Sequence, residues 1–283
     1  MDACNTSIAR MKIVIISEGT PRERVVLYSV LYHFEDVTWL MPSKQKNNNS
    51  SFTDAANADL SPKSKSGKFN QLLNKIYNKI HKLYLERHLK EFNPHNLEFK
   101  KAQIHFTDLK NETGINLLKS LEPDIILTCR APILRPEVLE IPKLAAINVH
   151  YGIAPKYRGN DTLFWALFDR DAPHIGATVH YINDGVDRGN ILALISPELS
   201  TKETELSLDI KTTKLLAKAT VQVLKDLEKM DRKPKGQVQT SLGRNYKKLD
   251  RTFLFNIKYL YRLFFNKLRV EPREASITYF HQE

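Results

Sequence analysis

Met11-Lys-Ile-Val-Ile-Ile-Ser17 runs into Glu18-Gly-Thr-Pro21 and then into the polar-apolar mixture Arg22 to His33, and this succession decides the fold class. An unbroken apolar run of this length suits a strand covered on both faces, as in a parallel sheet, and Gly19 and Pro21 punctuate it before a helix. Val37-Thr-Trp-Leu-Met41 follows as a second strand. Further out, the same rhythm returns. Ile104 to Phe106 reads as a strand, Asn111 to Leu121 as a helix and Asp124 to Thr128 as a strand, and Val138 to Ile141 leads through Pro142 into the strand Ala145 to His150. A helix is expected over Asp161 to Phe168, strands over Ile175 to Ile182 and Ile191 to Ile195, and a long amphipathic helix over Leu206 to Lys229. Strands alternating with helices imply parallel pairing with right-handed crossovers. The expected class is α/β, a Rossmann-like, mostly parallel sheet with flanking helices, a helical insertion and a small C-terminal helical appendage.

The rhythm fails between residues 42 and 100. Pro42 to Gly67 is rich in Ser, Asn and Lys and reads as a loop. Phe69 to Phe92 then spaces Leu72, Leu73, Ile76, Tyr77, Ile80, Leu83, Tyr84 and Leu89 by three and four, one apolar stripe on a basic helix. The expected organisation is a disordered leader over 1–10, a catalytic domain over 11–200 with an insertion at 42–100, and a helical extension over 201–283.

The 283 residues, 42% of them hydrophobic, are enough for one large domain and a smaller appendage. Only Cys4 and Cys129 are present, too few for a disulfide framework, and no signal peptide precedes the first strand, so a cytoplasmic protein is expected. The net charge of +11 suits nucleic acid, an anionic membrane or anionic small molecules without choosing among them. No nucleic-acid motif accompanies it, and no specific nucleic acid is expected as a partner. Residues 253–269 interleave aromatic and basic side chains, a pattern that suits peripheral membrane contact, packing on the core, or a homodimer interface.

In an open parallel sheet ligands bind beyond the carboxyl ends of the strands. Asn148 and His150 meet that condition, and their alternation with Val149 points both side chains to one side. Two loops follow that are able to close over a ligand: Gly152-Ile-Ala-Pro-Lys-Tyr-Arg-Gly159, and the carboxylate-rich turn Asn183-Asp-Gly-Val-Asp-Arg-Gly189. The histidines and carboxylates show no zinc spacing, and no metal is expected.

Ile147-Asn-Val-His150, Pro155-Lys-Tyr-Arg-Gly159 and Gly176-Ala-Thr-Val-His-Tyr-Ile-Asn-Asp-Gly-Val-Asp-Arg-Gly-Asn-Ile-Leu192 together resemble the tetrahydrofolate-dependent formyltransferase family. The resemblance covers about Leu121 to Leu194, with weaker support from Met11 to Leu40. It implies transfer of a formyl group from 10-formyltetrahydrofolate to an amine, with Asn148, His150 and Asp187 at the family's catalytic Asn, His and Asp positions. Asp184 is the competing carboxylate, but Asp187 stands in the Val-Asp-x-Gly part of the turn. The resemblance also implies a folate pocket from the loop after the preceding strand, Arg130, Ala131, Ile133 and Leu134, and from Asp184 and Gly185. Pro155, Tyr157, Arg158 and Gly159 form the expected substrate loop. In such a reaction Asn148 donates to the developing oxyanion, His150 takes the amine proton and Asp187 steadies the positive charge.

Departures from the family narrow the acceptor. Ser17-Glu-Gly-Thr-Pro21 lacks the glycine-rich cradle that glycinamide ribonucleotide requires. Methionyl-tRNA formylation is the alternative that suits the charge, but that branch uses a C-terminal β-barrel, and no run of alternating strands follows Arg232. A formyltetrahydrofolate deformylase, with water as acceptor, is a further alternative, and a basic nucleic-acid-binding protein is the non-enzymatic one. An amino sugar carried on a nucleotide is the expected acceptor.

Overall fold

Ile13-Val-Ile-Ile-Ser17 is buried throughout as β1, an interior strand of an eight-stranded sheet. The computed structural model describes residues 11–42, 102–183, 185–230 and 233–280, together with five positions between 72 and 83. The expected leader, the 42–67 loop beyond Pro42 and most of the insertion helix lie outside these residues. Leu72, Lys75, Ile76, Lys79 and Leu83 are helical and exposed.

Helix α1 (Pro21–His33) follows β1, with Pro21 in its first turn, where a missing N–H costs nothing. Then come β2 (Val37–Pro42), β3 (Ala102–Thr107), α2 (Glu112–Ser120), β4 (Ile125–Cys129), the short α3 (Pro136–Leu139) and β5 (Ala145–His150). Strands β3, β2, β1, β4 and β5 lie side by side and parallel. After β5 the chain passes through β6 (Tyr157–Gly159) and α4 (Thr162–Phe168) and returns antiparallel as β7 (Ala177–Tyr181), then β8 (Ile191–Ser196). Helix α5 (Glu205–Lys229) lies against α1 through Val25, Val26 and Ala217. Beyond it come β9 (Arg244–Tyr246), α6 (Phe253–Phe264) and β10 (Ser276–Tyr279).

The segment expected to be a helical appendage is built into the body of the fold. Strand β10 adds to the sheet edge antiparallel to β8, and β9 pairs with β6 beside the expected substrate loop. Strands of three or four residues carry too few alternations to announce themselves as periodicity.

The two faces of the sheet differ. One is apolar from end to end: Ile13, Ile15, Ile125, Leu127, Ala145, Ile147, Ala177 and Val179 pack under α1 and α5. On the other, Val14, Ile16, Ile126 and Ala146 meet Ile115 and Leu118 of α2 and Val138 of α3. A separate aromatic cluster joins Phe164, Trp165 and Phe168 of α4 to Tyr246 and Tyr259.

Candidate active site

On the second face, apolar at Ile126 and Ala146, the strands turn polar two residues further on. Register sets Thr128 of β4 beside Asn148 of β5, and Asn148 opposite His180 of β7, so three strands each contribute one polar residue to a single row. His150 projects to the same side, as alternation requires. A bulge in the pairing of β7 with β8 falls between Val179 and His180, the kind of irregularity that re-aims a side chain at a site.

Asp187 reaches into this row from the turn between β7 and β8, with its backbone in the left-handed region at φ 51°. Its Oδ1 accepts from Asn148 Nδ2 at 3.3 Å and lies 3.4 Å from His180 Nε2. Its Oδ2 accepts from the Gly159 amide at 2.7 Å and lies 3.4 Å from His150 Nδ1. Burial acts to raise the Asp187 carboxyl, but the charge of His150, the hydrogen bond and charge of His180 and the Gly159 amide outweigh it. The carboxyl is held well below the usual range.

The hydrogen bonds assign the ring nitrogens. His150 Nε2 stands 2.9 Å from the Tyr157 carbonyl, which can only accept, so the Nε2 hydrogen is spent there and Nδ1 faces Asp187 as the nitrogen able to gain or lose a proton. His180 Nδ1 likewise donates to the Tyr181 carbonyl at 2.7 Å, so Nε2 accepts from Asn148 Nδ2, 3.1 Å away, when the ring is neutral and donates toward Asp187 Oδ1 when it is protonated. The Thr128 hydroxyl donates to Asn148 Oδ1 at 2.7 Å. The Asn148 amide is thus oriented with its oxygen toward β4 and its NH₂ toward His180 and Asp187. The arrangement contains a fixed amide donor, a titratable imidazole and an ionised carboxylate, the groups that acyl transfer to an amine uses.

The loop after β5 closes over His150 because residue 152 is glycine: a Cβ there would meet His150 Nε2 at 2.5 Å and the Tyr157 carbonyl at 2.7 Å. Gly159, at φ +89°, brings its amide to Asp187 in a conformation that a side chain strains. Tyr157 and Arg158 are buried and hold the loops instead of facing an open site. The Tyr157 hydroxyl lies 3.1 Å from carboxylate oxygens of Asp169 and Asp171. Arg158 donates to the carbonyls of Gly243 and Val186, tying the substrate loop to the turn that carries Asp187. Pro155 is half-buried at the loop's start.

The expected folate residues divide. Ala131 and Leu134 pack against the apolar part of the same face. Ile133, 85% exposed, lines with Leu134, Ile16, Leu40 and Pro42 a largely apolar cavity of about 200 Å³ beyond the carboxyl ends of β1 and β2. That is below the roughly 300–1,000 Å³ of sites enclosing a whole drug-sized ligand, and fits one ring system. Arg130 is exposed, 3.9 Å from Glu18, and does not enter the cavity. Gly185 is exposed at φ +109° and does not line it either. Asp184 lies outside the described residues.

Three site residues escape a reading by spacing: His180, Thr128 and Gln239. A histidine inside the otherwise buried strand Ala177-Thr-Val-His-Tyr181 was the available signal for the first. Gln239 donates to the carbonyls of Asp187, at 3.1 Å, and Gly189, at 2.6 Å, and so grips the turn from the C-terminal segment. In the first turn of α1, Glu23 accepts from the Thr20 amide at 2.8 Å, setting a carboxylate where a phosphate cradle would need free amides. Burial pushes the Cys129 thiol far up, which keeps it from acting as a thiolate nucleophile.

The sequence pattern of the formyl transferase family matches residues 47–224, a span that includes Asn148, His150, His180 and Asp187. The chain belongs to that family. Among curated relatives, the methionyl-tRNA formyltransferase of Methylacidiphilum infernorum is 30% identical over 173 residues, 60% of this chain and 50% of that protein. The bifunctional polymyxin resistance protein ArnA of Wigglesworthia glossinidia brevipalpis is 34% identical over 113 residues, 40% of this chain and 17% of that protein. The chain thus spans half or less of the length of these relatives. A sugar N-formyltransferase from Shewanella sp FDAARGOS_354 shares the fold with a TM-score of 0.55 at 15% identity, over 85% of this chain and 78% of its own. The family match begins inside the segment 42–100, which the motifs alone had left uncovered.

Proposed function

We propose that this protein transfers the formyl group of 10-formyltetrahydrofolate to the amine of a nucleotide-linked amino sugar. The observation that carries formyl transfer is the Asp187 carboxylate with Asn148, His150 and His180 all within 3.4 Å at the end of β5. The donor supplies an activated formyl carbon. Asn148 offers an N–H to its oxygen as negative charge develops, by releasing a bond to Asp187 or His180. His150 takes the proton of the attacking amine at Nδ1 and returns one to the folate nitrogen as its bond to the formyl carbon breaks, so that tetrahydrofolate leaves, while Asp187 stabilises the interim positive charge. The cavity beside Ile133 and Leu134 fits the flat end of the donor.

The amino-sugar acceptor is supported by the fold shared with a sugar N-formyltransferase across 85% of this chain, and by the occupied Gly19 and Thr20 amides ahead of α1. The named relative that acts on methionyl-tRNA, together with the net charge of +11, favours the second reading. Incubation with 10-formyltetrahydrofolate and, separately, nucleotide amino sugars or charged initiator tRNA decides between them. The expected result is an amino-sugar nucleotide heavier by one formyl group. Formylated methionyl-tRNA would establish the second reading, and formate release without any acceptor would make the protein a hydrolase.

A further inference from the structure

Helix α6 is apolar on two sides, and among the described residues only one of them has a partner. The inner side is firmly seated: Phe255 packs edge-on against Trp165 and Phe168 with ring centres 4.9 and 5.5 Å away. The Tyr259 hydroxyl accepts the Glu205 amide at 2.9 Å, and Arg262 donates to the Phe168 carbonyl at 2.9 Å. The outer side carries Leu254, Ile257, Tyr261 and Phe264 at spacings of three and four, continued by Phe265, all exposed, with Phe264 at 83%. A helix already locked onto the core through one face has no internal use for a second.

Charge selects what covers it. From 251 to 270 there are five cations, Arg251, Lys258, Arg262, Lys267 and Arg269, and no carboxylate. Arg251 and Arg262 turn inward, to Glu205 and Phe168. Lys258 and Lys267 flank the stripe, their ammonium groups 5.6 and 5.2 Å from the rings of Phe255 and Tyr261. A second copy on this face would set Lys258, Lys267 and Arg269 against their own kind. An anionic surface pairs with them while its apolar interior takes the aromatic stripe, the arrangement of a helix lying flat in a bilayer interface. No described helix is long and apolar enough to cross a membrane, so contact through α6 is with one leaflet.

We propose that the outer face of α6 is a docking surface for anionic lipid, holding the protein on the face of a membrane. This rests on the helix alone and not on formyl transfer. The test is flotation of the whole protein with vesicles of equal parts phosphatidylglycerol and phosphatidylcholine, against vesicles of phosphatidylcholine alone, with sedimentation equilibrium in the absence of lipid. The expected result is flotation with the anionic vesicles only, weakened by salt. Lys258→Ala and Lys267→Ala should each weaken it by about fivefold. Ile257→Glu/Phe264→Glu should abolish it while unfolding at the wild-type temperature, since both positions are exposed. Failure to float with anionic vesicles, or unchanged flotation of the double variant, would overturn the proposal. A lipid-free dimer that the same double variant dissociates would assign the face to a second copy instead.

Discussion

Asp187 and Asp209 are both withdrawn from water, and they are held by opposite kinds of partner. Asp209 of α5 accepts from Arg22 Nη1 at 2.6 Å. Burial acts to lower the guanidinium's pKa, but the carboxylate beside it outweighs that and raises it, so Arg22 keeps its charge at every relevant pH. Asp187 has two histidines, an asparagine amide and a backbone N–H, none of them a permanent cation. A permanent cation fixes a buried charge as part of the framework. Histidines leave it compensated only while they hold a proton, which suits a site that must move one. On this reading Asp209 serves the framework alone and Asp187 serves the proposed chemistry as well, and substitutions can break or sharpen that division.

The largest expected effect is on turnover. Asn148→Ala removes the donor proposed to meet the developing oxyanion and should lower kcat by about 10²–10³-fold, with the unfolding midpoint close to wild type. Steady-state kinetics at saturating donor and acceptor measure it, and a loss under about tenfold would place oxyanion stabilisation elsewhere.

Next comes the framework pair. Arg22→Ala removes the counter-ion of buried Asp209, and should cost about 2–3 kcal/mol in urea unfolding, short of the full penalty because Arg22 keeps some exposure. Arg22→Met/Asp209→Leu removes both charges and should regain most of that loss. A double variant no better than the single would mean that the pair, and not the buried charge left without its counter-ion, supplies the stability.

Acid should separate the two carboxylates' surroundings. A carboxyl depressed in the folded state contributes stability that is present above its unfolded pKa of about 3.9 and is lost as the pH falls through and below that value. Asp187→Asn should therefore be less stable than wild type at neutral pH, with the gap narrowing as the pH drops below about 4. Urea midpoints across that range check the sign, and a gap that widens in acid would contradict the depressed carboxyl.

These contrasts also show what a sequence can and cannot display. The strands around Ile13 and Ile125 were legible because a fully buried parallel strand writes its burial into every residue, with no need of a partner. Asn148 and His150 were legible for a similar reason: their alternation and their place at a strand end are local facts. His180 was not, because its meaning depends on β7 folding back antiparallel beside β5, which nothing near His180 encodes. The burial of Tyr157 and Arg158 was not legible because polar residues in a glycine-bounded loop look the same whether they face a ligand or grip the backbone behind it. Strand β10 escaped because Ser276-Ile-Thr-Tyr279 has too few alternations, and its burial comes from β8.

Thr128 supplies the smallest and most discriminating effect. Its hydroxyl donates to Asn148 Oδ1 and so decides which end of the amide faces Asp187. Thr128→Val keeps the branched shape and deletes that bond, a net change of about 1 kcal/mol. The amide then loses its anchor on the β4 side, yet turning over would set its oxygen against the Asp187 carboxylate, an acceptor against an acceptor. The flipped state is therefore disfavoured, and kcat should fall by only about five- to tenfold. KM for donor and acceptor should stay unchanged, since the hydroxyl is spent on Asn148. Thr128→Ser, which restores a hydroxyl, should recover most of the rate. A loss as large as that of Asn148→Ala, with a raised KM, would mean that Thr128 itself touches a substrate. Unchanged kcat would mean that His180 and Asp187 orient the amide without help from β4.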